Sequence, residues 1–111
     1  MAVRDNIVGG ALTETTFLVL LAFHRPNHGY GVMQFIENET AGRVVLGAGT
    51  LYGAINALLK KGWIEPAGGG KSDARKDYAV TEKGRQIAAD EQKRLIGLLR
   101  LAEKIMGGNR V

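Results

Sequence analysis

Tyr52, Asn56 and Lys60 recur at four-residue intervals, so a helix sets them in one row on a single face. Thr50 and Gly53 flank that row. A carboxamide can bond both polar atoms of an adenine edge, a hydroxyl can bond several base edges, and an ammonium suits a phosphate. A second set, Lys71, Arg75 and Lys76, gathers around Gly68-Gly69-Gly70. Long cations on a glycine-rich tip suit backbone phosphates better than base edges. Tyr30, enclosed by Gly29 and Gly31, opens a helix and is either phosphate-facing or packed. The chemistry these residues share is recognition of a polyanion.

The same chain offers little to catalysis. It has no cysteine, which excludes disulfides, thiolate metal sites and cysteine nucleophiles. His24 and His28 are four apart, but Pro26 lies between them, so they do not share a helix face as zinc-binding pairs do. Gly68-Gly69-Gly70-Lys71 lacks the spacing of a phosphate-cradling P-loop and opens no helix; it reads as a turn. Ser72 is the single serine and has no orienting base nearby. No enzyme activity and no cofactor is expected.

Positioning the row at 50–60 requires neighbours. A first helix is expected over residues 10–24, ended by Arg25-Pro26-Asn27-His28-Gly29, because proline cannot continue it. Leu12, Phe17, Leu18, Val19, Leu20, Leu21 and Phe23 make it apolar on more than one side, so it needs neighbours on two sides. A second helix is expected over 30–40, with Val32, Phe35 and Ile36 inward. Val44, Val45 and Leu46 form a β-branched run long enough for a small strand. The third helix, 49–61, buries Leu51, Ile55, Leu58 and Leu59 and stops at Gly62. Trp63, at the hinge that follows, is expected mainly in the core.

Lys76, Tyr78 and Val80 then alternate with Asp77 and Ala79, as a half-buried strand does. Paired with 63–65 across the glycine-rich tip, this strand makes a hairpin. Thr81 is the expected cap of a last helix reaching Met106, although Gly84 stands where a capping box wants Glu or Gln. Along that helix Leu95, Leu98, Ala102 and Ile105 step by three and four, with Leu99 and Met106 beside them. The seam calls for a partner helix.

The full chain has 111 residues and a net charge of +4, the size of one domain. Residues 1–40 hold two basic and four acidic side chains, residues 41–85 eight and four, and residues 86–111 five and three. The positive field therefore centres on the third helix and hairpin, and an anionic partner is expected there. No run is apolar for the ~18–20 residues a membrane span needs, so no membrane association and a cytoplasmic location are expected.

Helix, helix, helix, glycine-tipped hairpin and helix give a mainly α fold with a small β-hairpin, a winged helix-turn-helix. Leu12-Thr13-Glu14, His28-Gly29-Tyr30-Gly31, Gly49-Thr50-Leu51-Tyr52, Leu58-Leu59-Lys60-Lys61-Gly62-Trp63-Ile64 and Val80-Thr81-Glu82-Lys83-Gly84-Arg85 together resemble the PadR family of bacterial regulators. The resemblance covers about residues 10–85. It implies a homodimeric transcriptional regulator, usually a repressor, whose last helix packs on its partner and whose dimer can enclose a small hydrophobic ligand. Ala48 stands where the family commonly has proline, and the short C-terminus resembles the family's compact branch.

On this reading residues 1–81 form the DNA-binding domain and 82–111 the dimerisation helix, in one compact unit. Thr50, Tyr52, Asn56, Lys60, Lys71, Arg75, Lys76 and Tyr30 are the expected DNA contacts, with Tyr52 exposed. Phe17, Leu21, Leu95, Leu98, Leu99, Ala102 and Ile105 are the expected dimer contacts. The expected DNA partner is a double-stranded inverted-repeat operator. The alternative is a winged helix that binds another protein, which would favour an apolar patch where Thr50, Tyr52, Asn56 and Lys60 stand.

Overall fold

The computed structural model describes residues 10–69 and 75–107. Thr13 caps the first helix, α1 (Glu14–Ala22), its hydroxyl accepting from the Thr16 amide at 3.1 Å. This start is later than the pattern suggests, because capping by a β-region threonine outweighs the apolar residues before it. Helices α2 (Gly29–Glu39) and α3 (Ala48–Lys61) follow, and α3 closes on Gly62 in the left-handed region at φ 75°. Strands β1 (Ile64–Gly69) and β2 (Lys76–Val80) pair antiparallel, from Ile64 opposite Val80 to Gly69 opposite Lys76. A bulge between Pro66 and Gly68 re-aims the outer part of the hairpin. The last helix, α4 (Glu82–Met106), has 25 residues.

The core collects one stripe from each element: Val19, Leu20 and Phe23 from α1 and its cap, Val32 and Ile36 from α2, Leu51, Ile55 and Leu58 from α3. Ile64, Tyr78 and Val80 close it from the hairpin and Ala88 from α4. Full burial of such side chains contributes about 1.5–3 kcal/mol each. The Phe23 and Tyr78 rings meet edge to face with centroids 6.0 Å apart, the arrangement their quadrupoles favour.

Three local expectations change. Val44, Val45 and Leu46 form no strand: the Val44 amide donates to the Thr40 hydroxyl at 3.0 Å, and only Leu46 is buried. The position beside β2 belongs instead to Asn27, which exchanges both backbone bonds with Tyr78, at 3.1 and 2.9 Å. Phe35, expected inward, is 39% exposed. Trp63 is half-buried, with the Lys61 ammonium 5.2 Å from its ring centroid, so its indole forms the edge of the core rather than its middle.

Among the described residues no helix is long and apolar enough to cross a membrane. Helix α4 divides along its length. Gly84, Ala88 and Glu91 are buried against the domain, whereas Leu95, Leu98, Leu99, Ala102, Ile105 and Met106 are all exposed. The stripe that docks α4 on the core runs on as an uncovered apolar face.

Candidate nucleic-acid interface

The outward face of α3 consists of Gly49, Thr50, Gly53, Asn56, Ala57 and Lys60, all exposed, opposite the buried Leu51, Ile55 and Leu58. Its first two turns carry only short side chains; its last carries Lys60 and Lys61. Cations there also complement the negative end of the helix dipole. Tyr52 departs from expectation. It is half-buried and packs against the core, the end of its ring over Gly29 at the start of α2. A β-carbon at Gly29 would collide with the Tyr52 hydroxyl and stand 2.7 Å from Cζ. Glycine at position 29 therefore makes room for the tip of the Tyr52 ring against the start of α2.

The turn before α2 is tied just as closely to the hairpin. Asn27 bonds Tyr78 through its backbone, and its side-chain oxygen accepts from the His28 amide at 2.8 Å. The His28 ring caps α2, Nδ1 accepting from the Gly31 amide at 3.1 Å. A β-carbon at Gly31 would strike the Asn27 carboxamide, 2.9 Å from Cγ. The His28-Gly29-Tyr30-Gly31 motif is thus a joint that fixes α2 against α3 on one side and β2 on the other. Tyr30 itself projects outward, 59% exposed, its hydroxyl 3.4 Å from the Gln34 amide nitrogen.

His24 Nδ1 lies 3.0 Å from the Leu20 carbonyl oxygen, His28 is the cap, and no acidic or histidine cluster suited to a metal occurs among the described residues.

Arg75 and Lys76 are exposed where the hairpin returns into β2. Lys71 lies outside the described residues. The structure brings Tyr52 against Gly29 at the α2–α3 joint, while Tyr30 projects outward from α2 and Arg75 and Lys76 lie exposed on the hairpin. Two cations of the basic surplus are committed elsewhere. Arg43 forms a two-point ion pair with Glu14, which lowers the Glu14 pKa through that hydrogen bond. Arg94 clasps Glu91 at 2.8 and 2.5 Å.

Glu91 is the residue the sequence reading missed. It is only 4% exposed, and it also accepts from the Leu12 amide, 3.4 Å away. The Arg94 hydrogen bonds hold its pKa below the usual carboxylate value against the opposing effect of burial. Extending the Leu95/Leu98 spacing back by one step lands on position 91, so the signal was present in the register.

The expected dimer contacts divide into two groups. Phe17, Leu21 and Leu95 meet where α1 crosses α4 and line a groove of about 560 Å³ together with Ala88 and Gln92. Leu98, Leu99, Ala102 and Ile105 lie farther along α4 and are exposed.

Residues 17–90 match the transcriptional regulator PadR-like family. The chain belongs to that family. PadR-like proteins are transcriptional regulators rather than enzymes, and the match runs from within α1 into the buried part of α4. The chain is 29% identical over 108 residues to an uncharacterized protein of Lysinibacillus sphaericus, covering 96% of this chain and 97% of that one. The fold is similar to a PadR family transcriptional regulator of Eggerthella lenta, with a TM-score of 0.71 at 23% identity, over 86% of this chain and 83% of the other. It is also similar to Bacillus subtilis PadR in complex with operator DNA, with a TM-score of 0.59 at 18% identity, over 70% of this chain and 46% of that one. The winged helix-turn-helix architecture is common to this chain and those two solved structures in outline.

Proposed function

We propose that this PadR-like regulator binds double-stranded DNA sequence-specifically as a homodimer and acts as a repressor. The observation that carries this is the α3 face: polar, short over two turns, basic at its end, and without a large apolar side chain. A helix about 10–12 Å across fits a major groove ~12 Å wide. Thr50 and Asn56 then read base edges, with Tyr52 holding α3 in place from its half-buried position. Lys60, Tyr30, Lys71, Arg75 and Lys76 contact phosphates. The operator complex of the Bacillus subtilis relative supports the same use of the fold.

Dimerisation joins the exposed α4 faces of two copies, with the groove at Phe17, Leu21 and Leu95 beneath them. Release by a small hydrophobic ligand is the finer part of the proposal. Its support is that groove, whose volume lies in the range of ligand pockets, roughly 300–1,000 Å³.

Fluorescence anisotropy on a duplex from the protein's own promoter region and on a scrambled duplex, across a salt series, separates reading from positioning. Asn56→Ala is expected to weaken promoter binding by about 1–3 kcal/mol and scrambled binding far less. Arg75→Ala is expected to weaken both alike and to reduce the salt slope by about one. Unchanged promoter preference in Asn56→Ala would mean that α3 is not the reading element. No effect from either variant would favour the protein-binding alternative.

A further inference from the structure

We infer that Gly53 sets how deeply α3 seats in its DNA, a positioning role that rests on the reading of α3 as the DNA-facing helix. Glycine inside a helix is less favourable than alanine, so its presence in α3 needs a reason. The fold supplies none. Gly53 is not among the positive-φ residues, and a β-carbon there would meet none of the described residues within 4 Å. Gly29, Gly31 and Gly84 differ, since in each a β-carbon would strike a neighbour. The packing explanation for Gly53 therefore fails.

An open helical glycine is not a site by itself, as Gly97 of α4 makes plain. It too is exposed and open. Its neighbours three and four residues away are Lys93, Arg94, Arg100 and Leu101, whose long side chains stand around it. Gly53 is bordered instead by Gly49, Thr50, Asn56 and Ala57, none of them longer than asparagine. Long side chains begin only at Lys60.

This shallow surface matches the reach of the groups that must read. Threonine and asparagine place their polar atoms close to the helix backbone, so they touch base edges only if the backbone itself comes near. A side chain at position 53, central to that face, would meet the groove floor first and hold Thr50 and Asn56 away. Phosphate contacts from the long lysines tolerate such a stand-off, whereas short-range bidentate bonds do not.

The test uses the full chain carrying Gly53→Ala, Gly53→Leu or Gly97→Ala, with melting temperature and anisotropy on promoter and scrambled duplexes as readouts. Gly53→Ala and Gly97→Ala are expected to raise the melting temperature by about 4 °C or more, and leucine, nearly as good a helix former, to raise it too. Promoter affinity is expected to fall about tenfold with alanine at 53 and about a hundredfold with leucine, the scale of losing one or two base contacts. Scrambled binding should change less, and Gly97→Ala should bind as the unmodified protein does. A more stable Gly53→Leu with unaltered promoter affinity would overturn the inference while leaving DNA reading intact. A lower melting temperature for Gly53→Ala would return the residue to a structural role. An unmodified protein that does not prefer its promoter duplex would overturn both the inference and the reading beneath it.

Discussion

Leu98→Glu is expected to abolish the proposed dimer while leaving each chain folded. Leu98 is 50% exposed in the single chain, so a glutamate there keeps access to water within one protomer. Between two copies its carboxylate would enter the seam of Leu95, Leu98, Ala102 and Ile105 without a partner. Burying an unpaired charge costs several kcal/mol, and a two-fold assembly carries the substitution twice. The dissociation constant should rise about a thousandfold or more. Sedimentation of both proteins at micromolar concentration measures this directly. The melting temperature of the unmodified protein should also rise with concentration, as it does when association and folding are linked. A stable, folded monomer of the unmodified protein at those concentrations would show that the α4 face has another use.

Gly84→Ala should have the opposite sign to the alanine substitutions at 53 and 97, although all three glycines are helical. Its β-carbon would collide with the Trp63 carbonyl oxygen and lie 2.8 Å from a Val80 methyl. A backbone carbonyl cannot swing aside as a flexible side chain does. The same place is stitched by Thr81, whose amide donates to the Trp63 carbonyl at 2.9 Å and whose hydroxyl donates to the Gly62 carbonyl at 2.7 Å. That hydroxyl also accepts from the Gly84 amide at 3.0 Å and so caps α4. Overpacking of this kind typically costs 1–3 kcal/mol, which the gain in helix propensity offsets only in part. We expect a net loss of about 1–2 kcal/mol, visible as a lower midpoint in urea. An unchanged or higher midpoint would mean that α4 can shift on the α3–β1 hinge at little cost.

These glycines show where the sequence was readable and where it was not. Spacing alone located α3 and its buried Leu51, Ile55 and Leu58, because helical periodicity survives in a sequence without knowledge of neighbours. It also located the hairpin from Tyr78 and Val80, and the cap at Thr81. What Gly84 does there was not legible: the missing capping-box residue is explained by the Trp63 carbonyl, a contact across 21 positions. Tyr52 lay opposite the apolar stripe by angle, yet its ring reaches sideways onto Gly29, and only tertiary packing decides that. Val44, Val45 and Leu46 had strand composition but no strand to pair with, since Asn27 already occupies the free edge of β2. Composition favours extended backbone; a ladder needs a partner. The apolar run of α4 was legible as a seam, while the division between its docked and uncovered parts depends on where the domain ends, near Glu91.

Footprinting of the unmodified protein across duplex DNA from its own promoter region tests the central claim most directly. In the proposed dimer, two α3 helices related by a two-fold axis would enter successive major grooves about 34 Å apart on one face of the duplex. The protected region should then be an inverted repeat with half-site centres about 10 base pairs apart, or separated by a whole number of turns. Protection of a single, asymmetric half-site, or of no site on any duplex tested, would contradict the account.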